Sequence, residues 1–263
     1  MSTNPGAVYL MYHELELPGR PMCRDEAGYV RYVVTEADFR AQMQDLRARG
    51  RRGMSVGEAL VSPSASGVAL TFDDGCETDL IAAAPLLKEM SFNATFYITV
   101  GFLDRRGYLS RSQLRELPAL GFEIGSHSVT HRYLTDVNES SLRDEIEGSK
   151  KKLEEIVSRP VVHFSCPGGR FDPRAVAVAR DSGYLSFATS ETRVNTAATS
   201  RYALGRVAIL RGMPLPEFQE ISEGQGLWKR RARQSARTFV RNVIGNSLYD
   251  QLRAQLLRRH SDK

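Results

Sequence analysis

Short apolar runs rich in β-branched residues alternate with helical patterns along most of this chain of 263 residues. Strand-then-helix repetition at this spacing predicts an α/β fold, in which parallel strands are joined by helical crossovers. The predicted strands cover residues 8–12, 67–72, 94–100, 122–125, 161–164, 185–188 and 206–210. The predicted helices cover residues 35 to about 50, 79–90, 111–120, 140–157 and 173–182.

Three polar segments stand just after predicted strands. They are Thr71-Phe72-Asp73-Asp74-Gly75, His127-Ser128-Val129-Thr130-His131 and Cys166-Pro167-Gly168-Gly169-Arg170. The carboxyl ends of parallel strands converge on one face of a barrel, or at the switch point of an open doubly wound sheet. We favour a barrel, because three successive strand ends would have to meet around one site.

The first two segments predict a metal site. Asp73 and Asp74 are adjacent at a strand end, where side chains point to opposite sides, so the two carboxylates serve different roles. His127 and His131 lie four residues apart, which places both imidazoles on one side of a turn. One carboxylate and two histidines form a ligand set typical of Zn²⁺ with one position open. The second carboxylate is then free to act as a base. The alternatives are an aspartate pair that caps the next helix and a pair of structural histidines.

The third segment has no side chain suited to acid–base chemistry between Pro167 and Gly169. Its glycines expose backbone N–H groups without steric cover, and a developing oxyanion needs such donors at hydrogen-bond distance. We expect Pro167, Gly168 and Arg170 to contribute to oxyanion or substrate binding. Taken alone, the segment is more typical of an ordinary turn.

Together these residues resemble the polysaccharide deacetylases of carbohydrate esterase family 4, the NodB-homology domain, over roughly residues 6–210. The family's first motif, Thr-Phe-Asp-Asp, matches residues 71–74, and its second, His-Ser/Thr-x-x-His, matches residues 127–131. The resemblance implies that Asp73 is the general base and that Asp74, His127 and His131 bind a divalent metal ion, with Zn²⁺ favoured. It also implies a distorted, incomplete (β/α) barrel of the seven-stranded type and removal of acetyl groups from an N-acetylated sugar or glycan.

Two positions depart from the family pattern. Ser165 stands where the third motif usually carries an arginine that orients the base, and Arg170 follows the glycines instead. Arg206 stands where the family's late Leu-x-His motif carries its general acid. The orientation of Asp73 and the identity of the acid are therefore open questions in the sequence.

His13 is the candidate for the missing acid. It follows the first predicted strand, in Met11-Tyr12-His13-Glu14, and so belongs to the same face of the barrel. This segment resembles the early Tyr-His segment of the poly-N-acetylglucosamine deacetylase branch, in which the order of the functional pieces is permuted. The alternative is that His13 closes the barrel floor or binds a neighbouring carboxylate.

The net charge of +5 resides in residues 216–263, which contain ten basic and five acidic residues. We therefore predict a barrel domain over residues 1–215 and a basic helical extension over residues 216–263. Between Trp228 and Arg241 the apolar and arginine positions fall on different sides of a helix. Such a helix would either pack on the barrel or lie on an anionic membrane surface. Nucleic-acid binding is less favoured, because few aromatic residues interleave with the basic ones.

Other properties concern the compartment. The chain has no apolar run of about 18 residues that would span a membrane, and its first residues lack the pattern of a secretory signal. Its three cysteines, Cys23, Cys76 and Cys166, are widely spaced and odd in number, which argues against a disulfide framework. These features predict a cytoplasmic protein, with peripheral contact at the inner membrane face as a further expectation. Cys76 and Cys166 are expected to fill space beside the site.

The sequence thus predicts a metal-dependent hydrolase that removes N-acetyl groups from a sugar or glycan. Two alternatives remain open. The same site would also suit another C–N bond, such as that of a cyclic imide, or an O-acetyl ester. A non-catalytic carbohydrate-binding protein is the third interpretation, which the altered third motif and the missing late histidine favour and the complete metal set opposes.

Overall fold

The computed structural model describes residues 6–62, 67–232 and 235. Its strands are β1 (Ala7–Tyr12), β2 (Leu15–Glu16), β3 (Val34–Thr35), β4 (Arg52–Met54), β5 (Gly67–Phe72), β6 (Thr95–Ile98), β7 (Glu123–Ser126), β8 (His163–Ser165), β9 (Ser186–Ala188), β10 (Val194–Asn195) and β11 (Val207–Ala208). Its α-helices are α1 (Ala27–Val30), α2 (Glu36–Ala48), α3 (Val56–Val61), α4 (Ala84–Glu89), α5 (Arg111–Ala119), α6 (Glu139–Val157), α7 (Pro173–Asp181) and α8 (Leu215–Ser222).

The main sheet places its strands in the order β10-β1-β5-β6-β7-β8-β9, with β11 also paired to β1 and β4 to β5. Across the sheet, from β1 by way of β5, β6, β7 and β8 to β9, each strand is parallel to its neighbour. Strand β10 runs antiparallel to β1. Strand β1 pairs with one edge of β5. Strands β4 and β6 pair with different residues along the opposite edge of β5. The sheet is curled into a half-barrel with helices outside, which confirms the predicted distorted (β/α) barrel.

Alternation along β1 and β5 sorts their side chains into two layers. Val8, Leu10 and Phe72 belong to the large core between the sheet and its helices. Tyr9 and Ala69 belong to a smaller cluster that also includes Tyr97 of β6 and Ala188 of β9, and which therefore fills the inside of the curl. The same alternation directs Asp73, one residue past β5, to the inside.

The predicted helix over residues 79–90 is divided in the structure. A π-helical turn, Asp79–Ala83, precedes α4. Pro85 stands in the first turn of α4 and lacks the N–H that a continuous α-helix would require there. The short strand β4 was not predicted, because three residues with a central glycine carry too little pattern to be read as a strand.

The predicted boundary between residues 215 and 216 falls in the first turn of α8. Phe218 and Ile221 of this helix are buried in the main core, and Arg49 of the segment after α2 bonds to Ser222 at 2.8 Å and to Glu223 at 2.7 Å. The start of the predicted extension therefore packs on the barrel. Most of the predicted amphipathic helix up to Arg241 lies outside the described residues. Among the described helices, none is long and apolar enough to cross a membrane.

Candidate active site

The end of β5 separates the two aspartates. Asp74 and Gly75 both adopt positive φ, at 80° and 81°. Aspartate tolerates this left-handed conformation better than most residues, and glycine adopts it without steric cost. Both carboxylates are buried, with relative exposures of 2% for Asp73 and 3% for Asp74. The turn directs them to different partners, as their different predicted roles require.

The two histidines follow β7 and meet Asp74. The Nδ1 atom of His127 lies 2.8 Å from the backbone carbonyl oxygen of Ser165, so this nitrogen donates and Nε2 carries the free lone pair. Nε2 lies 3.7 Å from Oδ1 of Asp74, and Nε2 of His131 lies 3.3 Å from the same oxygen. The sequence prediction that these three residues converge is consistent with the geometry.

The loop that carries His131 is held from outside by Glu145 of α6. Its buried carboxylate accepts hydrogen bonds from the backbone N–H groups of Val129 and Thr130, at 2.9 and 2.8 Å, and from the Thr130 hydroxyl. Ser128 and His131 adopt positive φ, at 68° and 63°. Strained backbone of this kind persists where surrounding contacts fix it, and it is common at functional sites.

This group of side chains fits a cation. One ligand atom each from Asp74, His127 and His131 lie within 4.8 Å of one another. Burial lowers the pKa of His127 to about 4, although Asp73 opposes the shift, so the imidazole is neutral and able to ligate. Oδ1 of Asp74 is buried and has no hydrogen-bond partner among the described residues. Three potential ligand atoms this close to one another suit Zn²⁺, which takes nitrogen and carboxylate ligands.

Arg206 answers the question of how Asp73 is oriented. Its guanidinium makes two parallel bonds to the carboxylate, Nη1 to Oδ1 at 2.7 Å and Nη2 to Oδ2 at 2.8 Å. Nη2 also donates to the Ser165 hydroxyl at 2.7 Å. The small serine in the third motif thus leaves room for an arginine that arrives from just before β11. Burial opposes ionisation of Asp73, but Arg206 and His127 outweigh it and hold the pKa of this carboxyl well below 3.8.

The family pattern predicts a histidine at position 206, and no motif in the sequence predicts that Arg206 orients Asp73. A signal was present, because Arg206 is the single charged residue in an otherwise apolar stretch over residues 203–210. Arginine is almost never fully buried unless it is paired, and Arg206 is only 1% exposed. The stabilising contacts of Glu145 were likewise not predicted.

His13 lies at the same end of the barrel, as predicted. It is within electrostatic range of Asp73, Asp74, His131 and Arg206. Burial lowers its pKa below 6.5, and the two carboxylates partly offset that shift. Its Nδ1 is buried without a hydrogen-bond partner in the described part of the chain, and its ring packs 4.9 Å from the Tyr32 ring. The position suits the predicted proton donor, while the role itself stays a prediction.

The third segment forms a tight 3-10 turn, Pro167–Gly169, directly after β8. Gly168 has a φ of 60°, and a Cβ atom there would lie 2.6 Å from Cε1 of Tyr133. The amides of Gly169 and Arg170 donate within the turn, which leaves the Gly168 amide as its candidate oxyanion donor. The Arg170 guanidinium stacks 3.7 Å from the Tyr133 ring centroid, and the residue is only 4% exposed. This contact links Arg170 to the residue that packs on Gly168, and the binding roles predicted for Pro167 and Arg170 stay predictions.

The buried Cys166 fits its predicted space-filling role, since its thiol donates to the Arg170 carbonyl oxygen at 3.1 Å. Cys76 is also buried, but it belongs with Cys23 and Glu14 to a second cluster of potential ligands.

The carboxyl end of the curled sheet holds Asp74, His127 and His131, and Arg206 fixes Asp73 beside them. This arrangement defines the class of the protein as a hydrolase-like barrel. Residues 61–187 match the family model for polysaccharide deacetylases. The peptidoglycan-N-acetylglucosamine deacetylase of Bacillus cereus is 34% identical over 119 residues, which cover 44% of this chain and 53% of that protein. This chain thus spans about half the length of that relative.

Several solved structures share the fold. The deacetylase PplD of Streptococcus pyogenes, in complex with acetate, aligns with a TM-score of 0.74 and 24% identity, covering 84% of this chain and 99% of that one. IcaB from Ammonifex degensii aligns with a TM-score of 0.70 and 22% identity, covering 83% and 97%. Residues 61–187 thus carry a polysaccharide deacetylase domain, as the motifs predicted, and the fold of the chain is that of these solved structures.

Proposed function

We propose that this chain is a metal-dependent hydrolase that removes the N-acetyl group from an N-acetylated glycan containing glucosamine. The observation that carries the proposal is the meeting of Asp74, His127 and His131 beside an aspartate that Arg206 keeps ionised. The named activity of the Bacillus cereus relative supplies the substrate class. A divalent ion held by those three residues would act as a Lewis acid and lower the pKa of water.

The chain's own residues divide the proton transfers. Oδ2 of Asp73 lies 3.7 Å from Nε2 of His127, so this oxygen faces the ligand set and accepts the proton of the attacking water. The Gly168 N–H donates a hydrogen bond to the oxyanion that forms from the acetamide carbonyl. His13 donates a proton to the departing nitrogen. Acetate and a free amino sugar leave the site.

Acetate release from a panel of N-acetylated glycans, measured together with metal content, tests the proposal. Asp73→Asn is expected to retain the metal and to lose activity by about 10²–10⁴-fold, the contribution typical of general acid–base catalysis. Asp181→Asn, on the exposed end of α7, serves as a matched control and is expected to be fully active. Full activity of Asp73→Asn would overturn the assignment of the base.

The same panel separates the two alternatives. Hydrolysis of O-acetyl esters or cyclic imides, without release from acetamides, would reassign the substrate class at an unchanged site. Metal binding and glycan binding without turnover of any member would indicate a non-catalytic protein.

Cytoplasmic localisation and membrane contact through residues 216–263 are proposals that rest on composition. Trp228, at the start of the predicted amphipathic stretch, is 70% exposed. Co-sedimentation with anionic liposomes should be compared between the full chain and a chain ending at Leu227, because α8 packs on the barrel and has to be kept. Equal sedimentation of the two chains would remove the membrane proposal.

A further inference from the structure

A second group of potential metal ligands lies beside the site, on the other side of the turn after β5. One carboxylate oxygen of Glu14 and the Sγ atoms of Cys23 and Cys76 lie within 4.8 Å of one another. We refer to Glu14, Cys23 and Cys76 as the thiol cluster. Cys76 is 0% and Glu14 2% exposed, whereas Cys23 is partly exposed and connects the cluster with solvent.

The Glu14 carboxylate is held in a fixed orientation. It accepts the backbone N–H of Cys23, with 3.0 Å to each oxygen, and the Tyr29 hydroxyl at 2.9 Å. The Tyr29 oxygen also lies 3.4 Å from Sγ of Cys76. Outer contacts that orient ligand atoms in this way accompany metal sites in proteins.

The cluster contains acidic and thiol groups but has no cation of its own. Within the described chain, Glu14 receives no hydrogen bond from a lysine or an arginine. Arg20, whose charge acts on Glu14, is paired with Glu77, and the guanidinium of Arg24 lies over the Tyr29 ring, 5.3 Å from its centroid. A buried group of this composition is stabilised by a positive charge among its members.

Asp79 provides an independent observation that points to a cation. It is 0% exposed, and both of its carboxylate oxygens are buried without a hydrogen-bond partner in the described residues. Burial raises the pKa of Asp79, and so do the nearby Cys23 and Asp74 and, to a smaller extent, Glu14 and Asp73. A buried carboxylate with no donor on either oxygen is costly unless an ion or a proton satisfies it.

We infer that Glu14, Cys23 and Cys76 bind a second divalent cation, Zn²⁺ by ligand type, with Asp79 or water in the fourth position. Thiolate sulfur and carboxylate oxygen are both ligand types that Zn²⁺ takes, and sulfur ligands discriminate against Mg²⁺ and Ca²⁺. Tetrahedral ligands at zinc distances are separated by roughly 3.3–3.8 Å, so the three atoms need to move by only about 1 Å.

This second centre would hold the segment from Glu14 to Tyr29 against the turn that carries Asp74. His13 precedes Glu14 directly, so the cation would fix the backbone beside the proposed proton donor. Its existence does not depend on the proposed deacetylase activity, because the ligands of the two centres are different residues.

The test is titration of the reduced, metal-free full chain with Co²⁺ alone, followed by absorbance. Thiolate ligands give a sulfur-to-cobalt charge-transfer band in the near ultraviolet, which the Asp74–His127–His131 set cannot give. The wild type is expected to bind two equivalents, one of which develops the band. Cys23→Ser should bind one equivalent and lose the band, and Asp74→Asn should bind one equivalent and keep it.

Cys166→Ser is the matched control, since Cys166 is a buried cysteine outside the thiol cluster, and it should retain both equivalents and the band. Glu14→Gln, which leaves all three thiols in place, should weaken the binding that develops the band and guards against a folding defect in Cys23→Ser. Absence of the band in the reduced wild type, or its survival in Cys23→Ser, would overturn the inference. Loss of acetate release alone would not bear on it.

Discussion

Replacement of Arg206 by methionine is expected to destabilise the protein and to disable its proposed base. Methionine keeps an unbranched apolar stem of similar reach but leaves the Asp73 carboxylate buried without its cation. Breaking a buried ion pair by removing one partner costs about 3–5 kcal/mol. The two charged hydrogen bonds to Asp73, at 2.7 and 2.8 Å, give a comparable figure at about 1.5–3 kcal/mol each.

The pH dependence of this loss follows from the pKa of Asp73, which Arg206 and His127 hold below 3.8 against the effect of burial. The stability that ionised Asp73 contributes is present above pH 3.8 and is lost as pH falls toward its lowered folded-state pKa. Without Arg206, burial raises that pKa, so the variant takes up a proton at a higher pH. The difference in unfolding free energy from the wild type should therefore be largest at neutral pH and smaller in mild acid.

The assays are urea unfolding at neutral and mildly acidic pH, and kcat/KM for acetate release against pH. The acidic limb of kcat/KM should move to higher pH in Arg206→Met, since the base must be ionised. Arg206→Lys should recover only part of the loss, because a single ammonium cannot replace the two-pronged contact. The double change Asp73→Asn with Arg206→Met should lower the free energy of unfolding by less than the sum of the two single changes, because the two residues contact each other.

Arg174→Met is the matched control. Arg174 also forms an ion pair with an aspartate, at 2.7 Å from Asp172, but its side chain is 46% exposed. Exposed pairs of this kind contribute little to stability, because solvent screens the two charges. If Arg206→Met costs no more than Arg174→Met at neutral pH, the buried pair does not have the energetic role assigned to it.

Three further changes test other parts of the site. His13→Gln should abolish the basic limb of the pH profile, where the wild type loses activity as pH rises through a His13 pKa that burial lowers below 6.5; an unchanged limb would reject His13 as the acid. Glu145→Gln should weaken metal binding about 10–100-fold, as loss of outer-shell support does, when measured by competition with a chromophoric chelator, while Glu147→Gln on the exposed side of α6 should have no effect. Gly168→Ala should lower kcat, because its Cβ would lie 2.6 Å from Cε1 of Tyr133 at a φ of +60°; wild-type kcat would contradict the oxyanion role.

Those parts of the site that depend on local spacing could be predicted from the sequence. Asp73, Asp74, His127 and His131 stand in short motifs after strands whose order along the chain matches their order in the sheet from β5 to β7. The alternation of strands and helices gave the curled parallel sheet for the same reason. The residue pattern within each strand and the pairing of strands that follow one another along the chain are enough to predict this part of the site.

The remaining parts depend on contacts between distant segments. Arg206 reaches Asp73 across 133 residues, and no motif links the two positions. The thiol cluster joins the segment after β1 with the turn after β5, so the spacing of its cysteines gave no indication of a site. The short strands β2, β3, β4 and β10 exist because a neighbour pairs with them, and their own two or three residues carry no signal.

The pairing of Arg206 with Asp73 also imposes an order of events during synthesis. The ribosome makes Asp73 long before Arg206, and the 133 further residues up to and including Arg206 take roughly 7 to 27 s at ordinary elongation rates of about 5–20 residues per second. Throughout that interval the Asp73 carboxylate lacks its partner guanidinium, so its burial as an ion would carry the cost of an unpaired charge. A nascent chain that stalls before residue 206 would consequently carry every residue of both family motifs and still lack the guanidinium that orients Asp73.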